Sequence, residues 1–174
     1  MEPINHVLLA LVPVGAYALV RHRRLPSGPL VLTAVFAGLF ADIVDKPLAW
    51  TFGLVPSGRM VAHSLVISLP LLVCLLVIAY RTDRLHYGVV FTWGHLAHIA
   101  GDFYPLLQQG RSYYYGPNLF WPLKQANPDR NPGFANHTPA LGVELLAELA
   151  VLALILAYVA VDIRHTLRKR ARPS

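Results

Sequence analysis

Residues 92–105 read TWGHLAHIAGDFYP. The run is largely apolar, yet it carries His95, His98 and Asp102, three groups that hydrocarbon rejects. His98 and Asp102 are four residues apart and share one face of a helix, with His95 one turn earlier. A fold for this chain has to explain how a greasy helix carries that face.

The rest of the chain sets the solvent. Of 174 residues, enough for one domain, 55% are hydrophobic and 14% charged. A soluble domain carries about 25% charged residues. The mean hydropathy of +0.48 agrees with an integral membrane protein. The net charge of +6 collects in short runs, RHRR at 21–24 and RHTLRKRAR at 164–172. Each run abuts an apolar stretch. That position suits orientation in a bilayer better than contact with phosphates, so the expected partner is the lipid bilayer and not a nucleic acid. Cys74 is the only cysteine, which excludes a disulfide within the chain and a cysteine-based zinc site. Its setting, LLVCLLV, reads as packing or lipid contact. The start, MEPINHVLL, lacks a basic n-region, so a cleaved signal peptide is not expected.

A spanning helix needs about 20 apolar residues. Five stretches qualify, at about 4–20, 30–52, 60–80, 87–105 and 140–162. The expectation is an all-α, polytopic transmembrane bundle of about five spans, forming a single integral membrane domain over 1–174 in the cell membrane. Pro13, Pro47 and Pro70 fall within spans, where neighbouring helices tolerate them. Basic residues Arg21, Arg23 and Arg24, then Arg81 and Arg84, then Arg164, Arg168, Lys169, Arg170 and Arg172 fall on one side if there are five spans. That side is expected to be cytoplasmic, with the N-terminus outside and a basic cytoplasmic tail at 164–174. The outer loop at about 106–139, rich in Tyr, Trp, Pro and Asn, reads as an ordered interfacial cap.

Asp42, Asp45, Asp102, Glu144 and Glu148 all lie in the expected spans. Each costs about 2.5–3.5 kcal/mol at a bilayer centre on insertion scales, so they must face one another, water or a metal. Depth sorts them. Asp42 and Asp45 lie about 18–22 Å along span two, in its outer half. His63 belongs to the expected first turn of span three, His98 and Asp102 to the outer part of span four, and His6 to the start of span one. Nearly every buried ionisable group falls in one outer layer. Histidine nitrogens and carboxylate oxygens at these spacings suit zinc, manganese or iron.

Structural alternatives stand beside this reading. Asp42 and Asp45 fit ion pairs with Lys46 and Arg59, His6 fits a snorkelling interfacial residue, and His95 fits a hydrogen-bond donor better than a ligand. Glu144 and Glu148 fit partners of loop or helix donors, and His137 a solvated loop residue.

These residues resemble a family of inner-membrane metal-dependent hydrolases, whose bacterial members are described as LexA-regulated or LexA-binding. The family has an early His, an acidic block, an Arg-Gly-x-Thr-His-Ser block, a Gly-x3-His-x3-Asp helix and a Trp-Pro element. Here these correspond to His6; to ADIVDKPL with Asp42 and Asp45; to GRMVAHSL with Arg59, His63 and Ser64; to GHLAHIAGD with His98 and Asp102; and to FWPL at 120–123. The resemblance covers about 1–125, with departures at Ala41, Gly58 and Ala62. The order of ligands is also distantly similar to that of zinc-dependent phospholipase C, whose second His-x3-acid pair is not met here.

The resemblance implies a divalent metal, zinc first and manganese second, bound by His6, Asp42, His63, His98 and Asp102. Asp45 would be a further ligand or base, and Arg59, with Lys46, would hold an anionic group. The expected activity is hydrolysis of a phosphoester or lipid headgroup at the outer membrane surface. The alternative is a non-enzymatic membrane protein, either an ion or proton carrier or an interaction protein, with a structural polar or metal cluster.

Overall fold

The computed structural model describes residues 2–137 and 142–170, and among these the chain is helical with no strand. Helix α1 spans Pro3–His22 and α2 spans Gly28–Lys46, the latter continued by a π-helical turn at Pro47–Thr51. Helix α3 spans Leu65–Arg81, α4 spans Leu85–Asp102, the short α5 spans Tyr104–Gln109, and α6 spans Val143–Arg170.

Local chemistry sets the ends. Pro3 and Pro29 stand at the first or second positions of α1 and α2, where a missing N–H costs nothing. Helix α1 stops where Arg23 turns left-handed at φ 52°, its N–H bonding Leu19 O at 3.0 Å. Pro47 cannot continue the α-helical ladder, and the chain widens into the π turn, closed by Phe52 N–H on Pro47 O at 3.0 Å. Ser64 caps α3, its side chain accepting from Val66 N–H.

Helices α1, α2 and α4 pack together, with α3 against α4 and α6 against α2. Small residues make the central contacts: Ala10 of α1, Ala34, Ala37, Gly38 and Ala41 of α2, and Gly94 of α4 are buried. Positions 34, 37, 38 and 41 form one helix face, and close approach of such faces drives packing where lipid removes the hydrophobic incentive. A Cβ on Gly38 would stand 2.9 Å from the His6 carbonyl, and one on Gly94 would stand 2.7 Å from Ala37 Cβ. Large apolar side chains face outward instead, among them Val12, Leu71, Val77, Ile78, Leu154 and Val161. An exterior of this kind is suited to lipid.

Three helices, Pro3–His22, Gly28–Thr51 and Leu145–Lys169, are long and apolar enough to cross a membrane, and Leu65–Arg81 is a shorter apolar helix. Two expectations are corrected. The third apolar helix starts at Leu65 and not near residue 60, so His63 precedes it in a non-helical segment. The basic segment from residue 164 continues α6 as helix to Arg170 and is no separate tail over that length. The expected start of span five at residues 140–141, the side chains of His137 and Glu144, and Arg172 lie outside the described residues.

Connectivity sorts the ends of the bundle. The start of α1, the end of α2, the start of α3 and the end of α4 lie together, and the links carrying Arg21–Arg24 and Arg81–Arg84 lie at the other end. Helix α6 joins that basic end: Asp162 accepts the Gly28 N–H at 2.7 Å, and Tyr158 O–H donates to Pro26 O at 2.5 Å.

Two alanine substitutions separate close packing from helix propensity. Gly38→Ala is expected to cost about 1–3 kcal/mol, because the added methyl meets backbone that cannot yield cheaply. Gly15→Ala, which meets nothing within 4 Å, is expected to be neutral or to gain up to about 1 kcal/mol. Thermal unfolding in detergent gives both signs.

Candidate metal centre

The small-residue face of α2 runs straight into Asp42 and Asp45, so the helix that packs most closely also delivers two carboxylates. Asp45 is fully buried. Its Oδ1 accepts from Ala62 N–H at 2.8 Å, and its Oδ2 accepts from Met60 N–H at 2.8 Å and His63 N–H at 3.2 Å. The same Oδ2 lies 2.8 Å from His63 Nδ1. These bonds pin the segment before α3 onto α2.

They also fix a tautomer. A carboxylate already accepting backbone N–H bonds can only accept from the ring, so Nδ1 of His63 carries the proton and Nε2 points away. His98, from α4, repeats the logic: its Nδ1 lies 2.7 Å from the Gly38 carbonyl, which has no proton to give. The two Nε2 atoms then face each other at 3.0 Å, both rings fully buried. Two bare lone pairs repel at that distance, so one proton or one cation must stand between them.

Asp42 and Asp102 complete the ring. Asp42 Oδ1 is buried without a hydrogen-bond partner and lies 3.8 Å from the Nε2 of both His63 and His98. Asp102 Oδ2 lies 3.5 Å from His63 Nε2. One ligand atom from each of Asp42, His63, His98 and Asp102 falls within 4.8 Å of every other. Tetrahedral zinc with bonds of about 2.0–2.2 Å separates its ligand atoms by about 3.3–3.6 Å, and the observed spacings bracket that range. The donor set therefore fits a divalent cation. Histidine ligands commonly donate their second N–H to a carboxylate or a backbone carbonyl, and here Asp45 and Gly38 supply one of each.

Charged groups surround the ring. Lys46 Nζ donates to Asp42 Oδ2 at 2.7 Å, and Arg59 Nε donates to Asp102 Oδ2 at 2.8 Å. Both side chains are partly exposed, at 19% and 22%, and mark the open edge of an otherwise buried cluster. Burial alone would lower the Arg59 pKa, but Asp102 outweighs it and holds the guanidinium above its usual value. Burial also works against a charged His63, yet hydrogen bonds and charge from Asp102 and Asp45 raise it to about 9.

Of the expected ligands, Asp42, His63, His98 and Asp102 are brought together. His6 adjoins them: its ring stacks on His98 with centroids 3.9 Å apart, and its Nε2 lies 3.1 Å from Asp102 Oδ1. Asp45, expected as a further ligand or base, has both oxygens engaged and orients His63 instead. Arg59 pairs with Asp102 rather than with Asp42 or Asp45. His95 stands apart from the ring, its Nε2 3.0 Å from Ser68 Oγ, which itself donates to Ala62 O at 2.7 Å. Glu148 is half-buried on α6, outside the cluster.

The long loop after α4 holds the site through residues the sequence did not single out. Asp129 accepts from Trp50 Nε1 at 2.6 Å, Ser57 Oγ at 2.9 Å and Gly58 N–H at 2.7 Å. Asn118, fully buried, donates to the Arg59 carbonyl at 2.9 Å and accepts from Asn127 N–H at 2.8 Å. Ser64 donates to the carbonyl of Trp121, beside the cis Trp121–Pro122 bond. Arg59 lies over the Tyr115 ring at 5.2 Å. The composition of the loop announces an ordered cap, but nothing local distinguishes Asp129 or Asn118 from solvated loop residues.

The family model of the YdjM inner membrane protein matches residues 1–168, and the chain belongs to that family. Together with the three apolar helices, this makes it a membrane protein. The inner-membrane part of the sequence resemblance is thereby met; the family description names no hydrolase and no phospholipase. No curated protein and no solved structure matches the chain significantly.

Asp129→Ala removes one acceptor from three donors while leaving the ring of ligands intact. It is expected to lower stability by about 1–3 kcal/mol, the cost of stranding buried donors, and to shift the emission of Trp50. Thermal unfolding followed by tryptophan fluorescence checks both.

Proposed function

We propose that this member of the YdjM inner membrane protein family is a membrane-embedded, metal-dependent hydrolase acting on a phosphoester or lipid headgroup. On this reading the bundle has five spans, the N-terminus faces outward, and the site lies at the outer surface of the membrane. The uneven distribution of arginines favours that orientation, since the site end is poor in them and the opposite end rich.

The observation that carries the reading is the pair of Nε2 atoms facing each other at 3.0 Å, with Asp42 Oδ1 beside them and without a hydrogen-bond partner. Asp42, His63, His98 and Asp102 would hold a divalent cation, zinc or manganese, with His6 against its flank. When bound, such an ion polarises a phosphoryl oxygen and lowers the pKa of a water to about 7. The chain's own groups do the rest. Asp45 and the Gly38 carbonyl keep both imidazoles in the tautomer that presents Nε2. Arg59 and Lys46, at the open edge, bind and orient the anionic group. The aromatic loop over Arg59 restricts water.

A second reading has a specific observation in its favour. The four candidate side chains are at most 11% exposed, and four protein ligands in a closed site are the mark of a structural metal. The protein would then be a non-enzymatic membrane component whose ion clamps α2, α4 and the segment before α3.

Elemental analysis of the purified protein is expected to give stoichiometric zinc or manganese, lost in His98→Ala and in Asp102→Asn. Metal-supplemented wild type without bound metal would remove both readings. Asp45→Asn is expected to keep the metal but bind it about 10–100-fold more weakly, because it acts through His63. A screen over phosphodiesters and phospholipids separates the readings: turnover that Arg59→Ala weakens mainly through KM supports the enzyme. Metal-dependent stability without turnover supports the clamp.

A further inference from the structure

The end of the bundle opposite the candidate metal centre carries a second feature, independent of the reading above. A cavity of about 560 Å³ lies between α1 and α4, lined by Val14, Tyr17, Val89 and Trp93. It runs into a cavity of about 680 Å³ formed by the α1–α2 link, the start of α4 and α6. Ala18, His22, Leu30 and His86 line both, so the two adjoin in one recess of the surface. The first part is almost wholly apolar. The second adds Arg24, Ser27 and Thr166.

Size and charge select the occupant. From Pro13, at the deep end of the apolar part, to His22 is nine residues of helix, about 14 Å, the thickness of one leaflet of hydrocarbon. Arg24 lines the polar part, and Arg21, Arg23, Arg81 and Arg84 stand at the two links at the same end of the bundle. Asp162, a carboxylate lining the same part, accepts the Gly28 N–H at 2.7 Å, so part of its demand for donors is met within the protein. Basic pockets between transmembrane helices are suited to anionic lipid headgroups.

We propose that this recess binds one anionic glycerophospholipid. An acyl chain lies along Val14, Tyr17 and Trp93, and the phosphate is received by Arg24 with His22 and His86. The site binds a lipid as a ligand and plays no part in chemistry at the other end.

Trp93 lines the apolar part and also borders a second apolar cavity beside Leu9, Ala97 and Tyr104, whereas Trp50 and Trp121 belong to the opposite end. Quenching of Trp93 by bromine-labelled lipids is therefore assigned to the recess by its dependence on Arg24 and His86. The full chain, in phosphatidylcholine nanodiscs, is titrated with dibrominated phosphatidylglycerol or dibrominated phosphatidylcholine at equal mole fraction. Phosphatidylglycerol is expected to quench in excess, and Trp93→Phe to remove that excess. Arg24→Gln is expected to weaken the preference about fivefold, the effect of one basic residue near the headgroup layer, with His86→Gln weakening it too. Both substitutions are at exposed positions, and unchanged thermal unfolding shows that the fold survives. Equal quenching by the two lipids overturns the proposal, as does an excess that persists in both variants. Exclusion of lipid from Trp93 by a second copy of the chain, seen by cross-linking, also overturns it.

Discussion

The carboxylate of Asp45 accepts from the amides of Met60, Ala62 and His63 and from the His63 ring, all without contact with water. Each of those amides would cost about 1–3 kcal/mol if buried without an acceptor. A single side chain therefore makes a non-helical segment stable against the side of α2, where a helical turn would otherwise satisfy its own backbone. The same carboxylate decides which nitrogen of His63 faces inward. The geometry of the candidate centre is in this sense a consequence of how a short unwound segment is kept satisfied in a dry environment.

The helix contacts are set by an equally simple constraint. Gly38 serves twice: lacking a Cβ, it lets the α1 backbone approach, and its carbonyl takes the Nδ1 proton of His98. Gly94 lies one turn before His98 and meets Ala37, one residue before Gly38. The close approach of α4 to α2 at Gly94 thus fixes how far along α2 the His98 ring arrives, which is opposite Asp42. Larger residues at these positions would separate the helices and carry the rings away from the carboxylates.

Much of this arrangement is legible in the sequence, and for an identifiable reason. Alternating spans fix which end of each helix shares a layer, so His6, Asp42, Asp45, His98 and Asp102 can be sorted by depth without coordinates. The i, i+4 spacing of His98 and Asp102 gives their shared face. The stretch GRMVAHSLVISL is compatible with helix through His63, so the expected span takes that residue in. Only the long-range acceptor Asp45 makes the unwound form competitive, and no local pattern encodes that. The signal that was present is Ser64, a good N-cap directly before the apolar run. The roles of Asp129 and Asn118 depend on contacts across 59–79 residues of chain, and a polar loop composition does not reveal them.

Charge explains why so polar a cluster settles in one place. Asp42, Asp45 and Asp102 bring three negative charges, and Lys46 and Arg59 return two. A proton shared at His63, whose pKa stands at about 9, brings the cluster to neutrality. Exchange of that proton for a divalent cation leaves one positive charge in excess, at the edge where Arg59 and Lys46 are exposed. Low dielectric makes such an excess costly unless an anion joins it. A cluster of this composition would be neutral with a proton and, were a divalent cation to replace it, would favour an anion. That coupling follows from the count of fixed charges and from their burial, whatever the anion is.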